Sequence, residues 1–135
     1  MKKGKLYTSY FAKLKYGKGL KISIARYNPK WLSNKYIDKW FQELAPNRYL
    51  LNKYKYENLS WKEYEELYKK DLFNYNTSRM QLDELKYLLD NGQDVTVYCY
   101  EKPGDNCHRH ILANIISNLG YETDEINFEL NESFI

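Results

Sequence analysis

Alternating and helical spacings of apolar residues divide the chain into the strands and helices of an α/β protein. Leu20, Ile22 and Ile24 alternate with polar neighbours, as a strand with one buried face requires, and Lys5 to Tyr10 reads as a strand before it. The turn Lys15-Tyr16-Gly17-Lys18-Gly19 joins the two, and Pro29 closes the second because it offers no ladder N–H. The spacing of Trp40, Phe41 and Leu44 predicts that Trp31 to Leu44 is helical in part, stopped by Ala45-Pro46-Asn47, with a short helix over Asn47 to Tyr54. Ser60-Trp61-Lys62-Glu63 is a capping box: the serine oxygen accepts from the N–H of Glu63 while the Glu63 side chain reaches back. Behind it Trp61, Tyr64, Leu67, Tyr68 and Leu72 recur at helical spacing, most simply as core contacts. A further helix is predicted from about Arg79 to Asp90, with Leu82, Leu85, Leu88 and Leu89 inward and Asn91-Gly92 as its stop.

The unusual chemistry lies between Asp94 and Gly120, which hold both cysteines and both histidines. Val95 to Cys99 reads as a strand, and a polar loop from Glu101 to Asn106 leads to an amphipathic helix opening with Cys107-His108-Arg109. Ile111, Leu112, Ile115, Ile116 and Leu119 form its predicted buried stripe, and Gly120 ends it. In α/β proteins ligands collect at the carboxyl ends of strands, where free helix N–H groups wait. A last strand is expected over Tyr121 to Ile126, and the apolar Phe128, Leu130, Phe134 and Ile135 predict that the tail packs on the body or on a second chain. No internal repeat or linker is visible. Residues 1–135 are therefore expected to form a single three-layer α/β domain, a small, mostly parallel sheet flanked by helices.

Composition narrows the setting. The 135 residues suit one domain with a real core, and 15 of them are tyrosines whose hydroxyls need water or a partner when their rings are buried. No apolar run approaches the roughly 20 residues of a membrane span, and no apolar signal core follows Met-Lys-Lys-Gly-Lys. A cytoplasmic protein without membrane contact is expected, with its two cysteines kept as thiols for nucleophilic, redox or metal-binding work. The formal charge of +3 is unevenly spread: Met1 to Tyr36 carries no acidic residue, and Tyr121 to Ile135 no basic one. The basic N-terminal half either faces a phosphate-bearing partner such as nucleic acid or is a solvated surface.

With Asn106 as cap, Cys107 is the first helical residue, where the positive helix end favours thiolate and Arg109 adds a permanent charge. The competing reading makes Cys107, one turn before Ile111, a small buried hydrophobe. A metal set of Cys99, Cys107, His108 and His110 matches no usual zinc spacing, and the two histidines leave the helix in different directions, so no metal is expected. Asp105, not arginine, stands six residues after Cys99, which fails the cysteine-phosphatase pattern, and no Gly-rich run makes Lys18-Gly19 a P-loop. Glu101 is either a partner of Arg109 or, in a desolvated cleft, a general base or nucleophile. Arg26, at the end of the second strand, either meets a ligand anion or pairs with an acidic neighbour.

The segment from Cys99 to Leu112 resembles the Cys-x-Glu-Lys loop and Cys-His-Arg helix start of the family known as domain of unknown function 488 (DUF488). Tyr7-Thr8-Ser9-Tyr10-Phe11 resembles that family's first strand, Ile24-Ala25-Arg26 with Pro29 its strand-end arginine and proline, Leu44-Ala45-Pro46 its Leu-x-Pro segment, and Tyr64 with Tyr68 its tyrosine-containing helix. The resemblance implies a site at the strand ends formed by Ser9, Arg26, Glu101, Cys107 and Arg109. Ile24 stands where the family often has an acidic residue two places before the arginine, so a carboxylate is missing there. The family label names no reaction and leaves the cofactor and the oligomeric state open. The leading expectation is a small enzyme with Cys107, Glu101 and Arg109 in the catalytic set and a nucleotide-like or phosphate-bearing ligand. That ligand meets Ser9, Arg26, Lys102 and His108, with Tyr7 and Tyr10 stacking on a base. The rival is a non-catalytic nucleotide- or nucleic-acid-binding protein; in a third reading Arg109 holds the loop, tied to Glu101 or to loop carbonyls.

Overall fold

A computed structural model describes residues 2–101 and 106–126. Strands β1 (Leu6–Tyr10), β2 (Leu20–Ser23), β3 (Lys39–Trp40), β4 (Val95–Cys99) and β5 (Thr123–Glu125) make one sheet in the order β3-β2-β4-β1-β5. Every pairing is parallel. Among the described residues four α-helices accompany it: α1 (Arg48–Tyr56), α2 (Trp61–Asn74), α3 (Asn76–Asp90) and α4 (His108–Asn118).

Side-chain alternation assigns the two faces. Leu6 lies beside Val95, and Ile22 beside Val97, so these residues point the same way and pack with buried residues of α1, α2, α3 and α4. On the opposite face Tyr98 packs with Phe11, Leu14 and Ala25, and a short 3-10 stretch, Phe11–Tyr16, supplies the covering layer. The chain crosses from β1 to β2 over that thin face. It returns from β3 to β4, and passes from β4 to β5, over the helical one. Crossovers running in opposite directions thus lie on opposite faces, as a common right hand demands. The expected α/β class with a parallel sheet is what the structure has, although all four α-helices gather on one side.

The local signals at element ends behave as chemistry requires. Asn47 caps α1 by accepting from the N–H of Leu50 at 2.8 Å. Ser60 accepts from the N–H of Glu63 at 3.1 Å and donates to the Glu63 carboxylate at 2.9 Å. Ser60→Ala removes that cap and is expected to cost about 1 kcal/mol. In thermal unfolding this should appear as a midpoint lowered by about 4 °C. Gly92 and Gly120 take positive φ, 84° and 99°, directly after α3 and α4.

Three expectations are corrected. Trp31 to Leu44 is helical in part, as expected, but only as two 3-10 turns, Asn34–Tyr36 and Gln42–Leu44, and the correction is edge strand β3 between them. The N–H of Phe41 bonds the carbonyl of Ser23 at 2.8 Å, so sheet pairing overrides the helical spacing of Trp40, Phe41 and Leu44. Helix α3 begins at Asn76, three residues before Arg79, with the Ser78 hydroxyl donating to the Leu72 carbonyl at the junction with α2. Leu119 is exposed, because α4 ends at Asn118. The tail expectation at Phe128 to Ile135 lies outside the described residues. No helix among the described residues is long and apolar enough to cross a membrane.

Candidate functional site

The ends of β2 and β4 lie side by side, and the loops that follow them open a cleft of about 330 Å³ between α1, the start of α2 and the start of α4. Tyr27, Tyr54, Trp61, Tyr64 and Tyr100 contribute rings to it. Trp61 stacks on Tyr64 with ring centroids 4.9 Å apart, and Tyr54 leans against Tyr64 at 4.8 Å. Arg26, Glu101, Cys107 and His108 share the wall. The cleft is therefore aromatic on the α1–α2 side and carries its sulfur, imidazole and carboxylate groups on the β4–α4 side.

His108 is buried, and its Nε2 lies 2.6 Å from the carbonyl oxygen of Ile24. A carbonyl only accepts, so Nε2 carries the hydrogen and Nδ1 presents a lone pair, 3.7 Å from the Cys107 sulfur. Burial pushes the His108 pKa down to about 4; the Ile24 hydrogen bond works against that shift, and the charges of Arg109 and Arg26 add to it. The imidazole is accordingly neutral near pH 7. Burial raises the pKa of Tyr64, and the nearby Glu101 carboxylate raises it further, so its phenol is a hydrogen-bond donor in the cleft.

Cys99 and Cys107 are joined in a disulfide, which corrects the expectation of two separate thiols. Cys99 ends β4 on the face of Val95 and Val97, towards the helices, and the start of α4 lies over that position. Cys107, eight positions further along the chain, lies at the same point. Nor is Cys107 the first helical residue: its extended backbone (φ −148°, ψ 148°) makes it the cap, and α4 starts at His108.

Arg109 is fully buried and does not line the cleft. Its Nε and Nη2 donate to the two oxygens of Glu125 at 3.1 and 2.8 Å. Its Nη1 donates to the Glu101 carbonyl and towards the Cys99 sulfur at 3.0 Å. The guanidinium thus ties the loop after β4 to strand β5, and its carboxylate partner is Glu125, where the sequence pointed to Glu101. Arg26 reaches the cleft wall but donates to the carbonyls of Ala45 and Pro46, both at 3.2 Å, and pairs with Glu43 at 3.5 Å.

Of the remaining expected ligand contacts, Tyr7 lies near the Lys5 and Lys18 amines, outside the cleft. Tyr10 and Ser9 do not line it either; Ser9 is fully buried, and its hydroxyl has no hydrogen-bond partner among the described residues. Lys102 lies outside the described residues. Sequence reasoning passed over Tyr27, Tyr54 and Tyr100 as ligand contacts and took Trp61 and Tyr64 for core. It also passed over Arg48 and Lys55, which line an adjoining hollow sharing Tyr27, Tyr54 and Glu101 with the cleft. The abundance of tyrosine was the only signal that pointed to such a wall.

The molecule is thus a small parallel α/β domain with a ring-lined cleft at its strand ends and a Cys-His-Arg helix start beside it. The family model that matches residues 6–120 is DUF488-N3a, described as the active DUF488-N3 subclade, and the chain belongs to this family. No curated protein and no solved structure matches the chain.

Proposed function

We propose that the protein is a small cytoplasmic enzyme acting on a nucleotide-like or phosphate-bearing ligand in the cleft between α1, α2 and α4. The observation that carries this reading is the convergence of five aromatic rings with Cys107, His108 and Glu101 in one cavity of about 330 Å³. Rings offer a sequence-tolerant platform for a planar base, worth roughly 1–3 kcal/mol per stacked base. Arg48 and Lys55 at the adjoining hollow supply charge for a phosphate, and Arg26 adds to the field although its donors are already engaged. In the thiol form Cys107 faces the free Nδ1 of His108, the arrangement in which an imidazole accepts a thiol proton and yields a nucleophile. Glu101, exposed at the rim, is the second proton-transfer group.

A nucleotide panel offered to the reduced protein tests this. Trp61→Ala should weaken binding of a base-bearing ligand by roughly 10- to 100-fold, the equivalent of one lost stacking partner. Cys107→Ser and Glu101→Gln should each abolish turnover with folding intact; unchanged turnover in both removes the enzyme assignment. The second reading, non-catalytic binding of nucleotide or nucleic acid, draws on Lys2, Lys3 and Lys5, which surround Tyr7 in a separate hollow lined also by Asp94 and Glu122. Backbone binding there would weaken steeply with ionic strength, whereas the cleft would respond little.

A further inference from the structure

We propose that reduced Cys99 and Cys107, together with His108, form a binding site for one zinc-like divalent ion in the wall of the cleft. One ligand atom from each residue, the two sulfurs and a His108 ring nitrogen, lies within 4.8 Å of the other two, and all three residues are buried. They are delivered independently, Cys99 by the end of β4, Cys107 as the cap of α4 and His108 as its first residue. His110, which sequence grouped with them, stands apart and turns its Nε2 to within 4.0 Å of Glu125.

The surroundings are those of a ligand set. Metal-bound histidines commonly donate their other ring N–H to a carbonyl or carboxylate, which fixes the tautomer. His108 does this to Ile24, leaving Nδ1 on the side of the Cys107 sulfur. Arg109 Nη1 points at the Cys99 sulfur from 3.0 Å, and Glu125 balances the arginine charge. Backbone spacing agrees. The Cα atoms of Cys99 and Cys107 are 7.4 Å apart. Disulfides usually bridge about 4.4–6.8 Å. Two thiolates on a tetrahedral ion at about 2.3 Å hold their sulfurs roughly 3.8 Å apart, which suits a wider frame. Soft sulfur with imidazole selects zinc over magnesium or calcium. Three protein ligands would leave a fourth position for water or a substrate oxygen, and all three residues line the cleft from which either would come.

The disulfide is then the metal-free alternative state of the same residues. A dithiol reductant supplies two electrons and becomes a disulfide itself, while Cys99 and Cys107 take up one proton each; binding of the ion afterwards releases those two protons. The site needs only these three side chains and does not rest on the nucleotide reading; bound ion and nucleophilic thiol are alternative states of Cys107, because an Nδ1 that ligates the ion accepts no thiol proton.

The test uses the full chain, reduced anaerobically with a water-soluble phosphine and titrated with Co²⁺, then with Zn²⁺. One equivalent of Co²⁺ should produce sulfur-to-cobalt charge-transfer absorption with tetrahedral d–d bands, displaced by Zn²⁺ and absent from the oxidised protein. Cys99→Ser and Cys107→Ser should each reduce the charge-transfer band, and His108→Ala should weaken Zn²⁺ binding by more than the roughly 10–100-fold that losing a ligand's outer hydrogen-bond partner costs. A reduced wild type without the charge-transfer band, or affinity unchanged in His108→Ala, overturns the site. Should the variants fail to fold, wild type alone decides: Zn²⁺ must protect both thiols from alkylation, and protection of one or neither overturns it. No nucleotide enters this experiment, so its failure leaves the proposed function standing, and the reverse holds.

Discussion

Arg109→Ala is expected to destabilise the protein by about 3–5 kcal/mol, the range for breaking a buried ion pair by removing one partner. The side chain is fully buried, so nothing but protein meets its donors. Its loss strips Glu125 of a two-pronged partner, leaves the Glu101 carbonyl without its guanidinium donor and removes the N–H directed at Cys99. Against a typical domain stability of about 5–15 kcal/mol this is at least about a fifth of the whole. Arg109→Lys keeps the charge and loses the fork, so about 2 kcal/mol should still be lost. Replacing the pair together, Arg109→Met with Glu125→Leu, should recover most of the stability, because no unpaired charge remains. Urea unfolding with an unchanged slope measures all three. A loss below about 1 kcal/mol for Arg109→Ala would show that the guanidinium does not hold the loop.

That prediction rests on the loop-holding reading of Arg109, which its bond to the Glu101 carbonyl bears out. The carboxylate partner was not legible: Glu125 stands sixteen residues further on, brought back by strand β5 alongside β1. Sequence spacing carries no trace of such a pairing. What depended on neighbours within one turn was legible: the Ser60 box, the Asn47 cap, the Asn91-Gly92 stop, and the alternation of Leu20, Ile22 and Ile24. Lys39 and Trp40 were not, because two residues of edge strand leave no periodicity to read and their register comes from β2. The meeting of Cys99 with Cys107 depends on where α4 lands over β4, a tertiary distance. The cleft is the clearest case: Trp61 and Tyr64 are the core contacts their helical spacing predicts, and only the placement of α2 against the strand ends makes them cleft wall as well.

The same burial that fixes His108 makes the protein sensitive to mild acid. In the folded state burial holds its pKa near 4, whereas an unfolded histidine titrates near 6.5. Between those values the unfolded chain binds a proton that the folded one does not, so stability rises with pH across the window. The contribution is fully present above pH 6.5 and is lost as pH falls towards 4; the difference is about 3 kcal/mol at about 1.4 kcal/mol per pH unit. Denaturant unfolding of oxidised, chelator-treated protein from pH 7.5 to 4 reads this directly, with no metal or thiol titration in play. Carboxylates add a background slope, which His108→Gln isolates by keeping a donor for the Ile24 carbonyl and removing the titrating ring. The wild type should lose about 3 kcal/mol more than His108→Gln over this interval. Equal slopes would mean that His108 takes up its proton in the folded protein, with the imidazole reaching water and its Nδ1 no longer a standing lone pair towards Cys107.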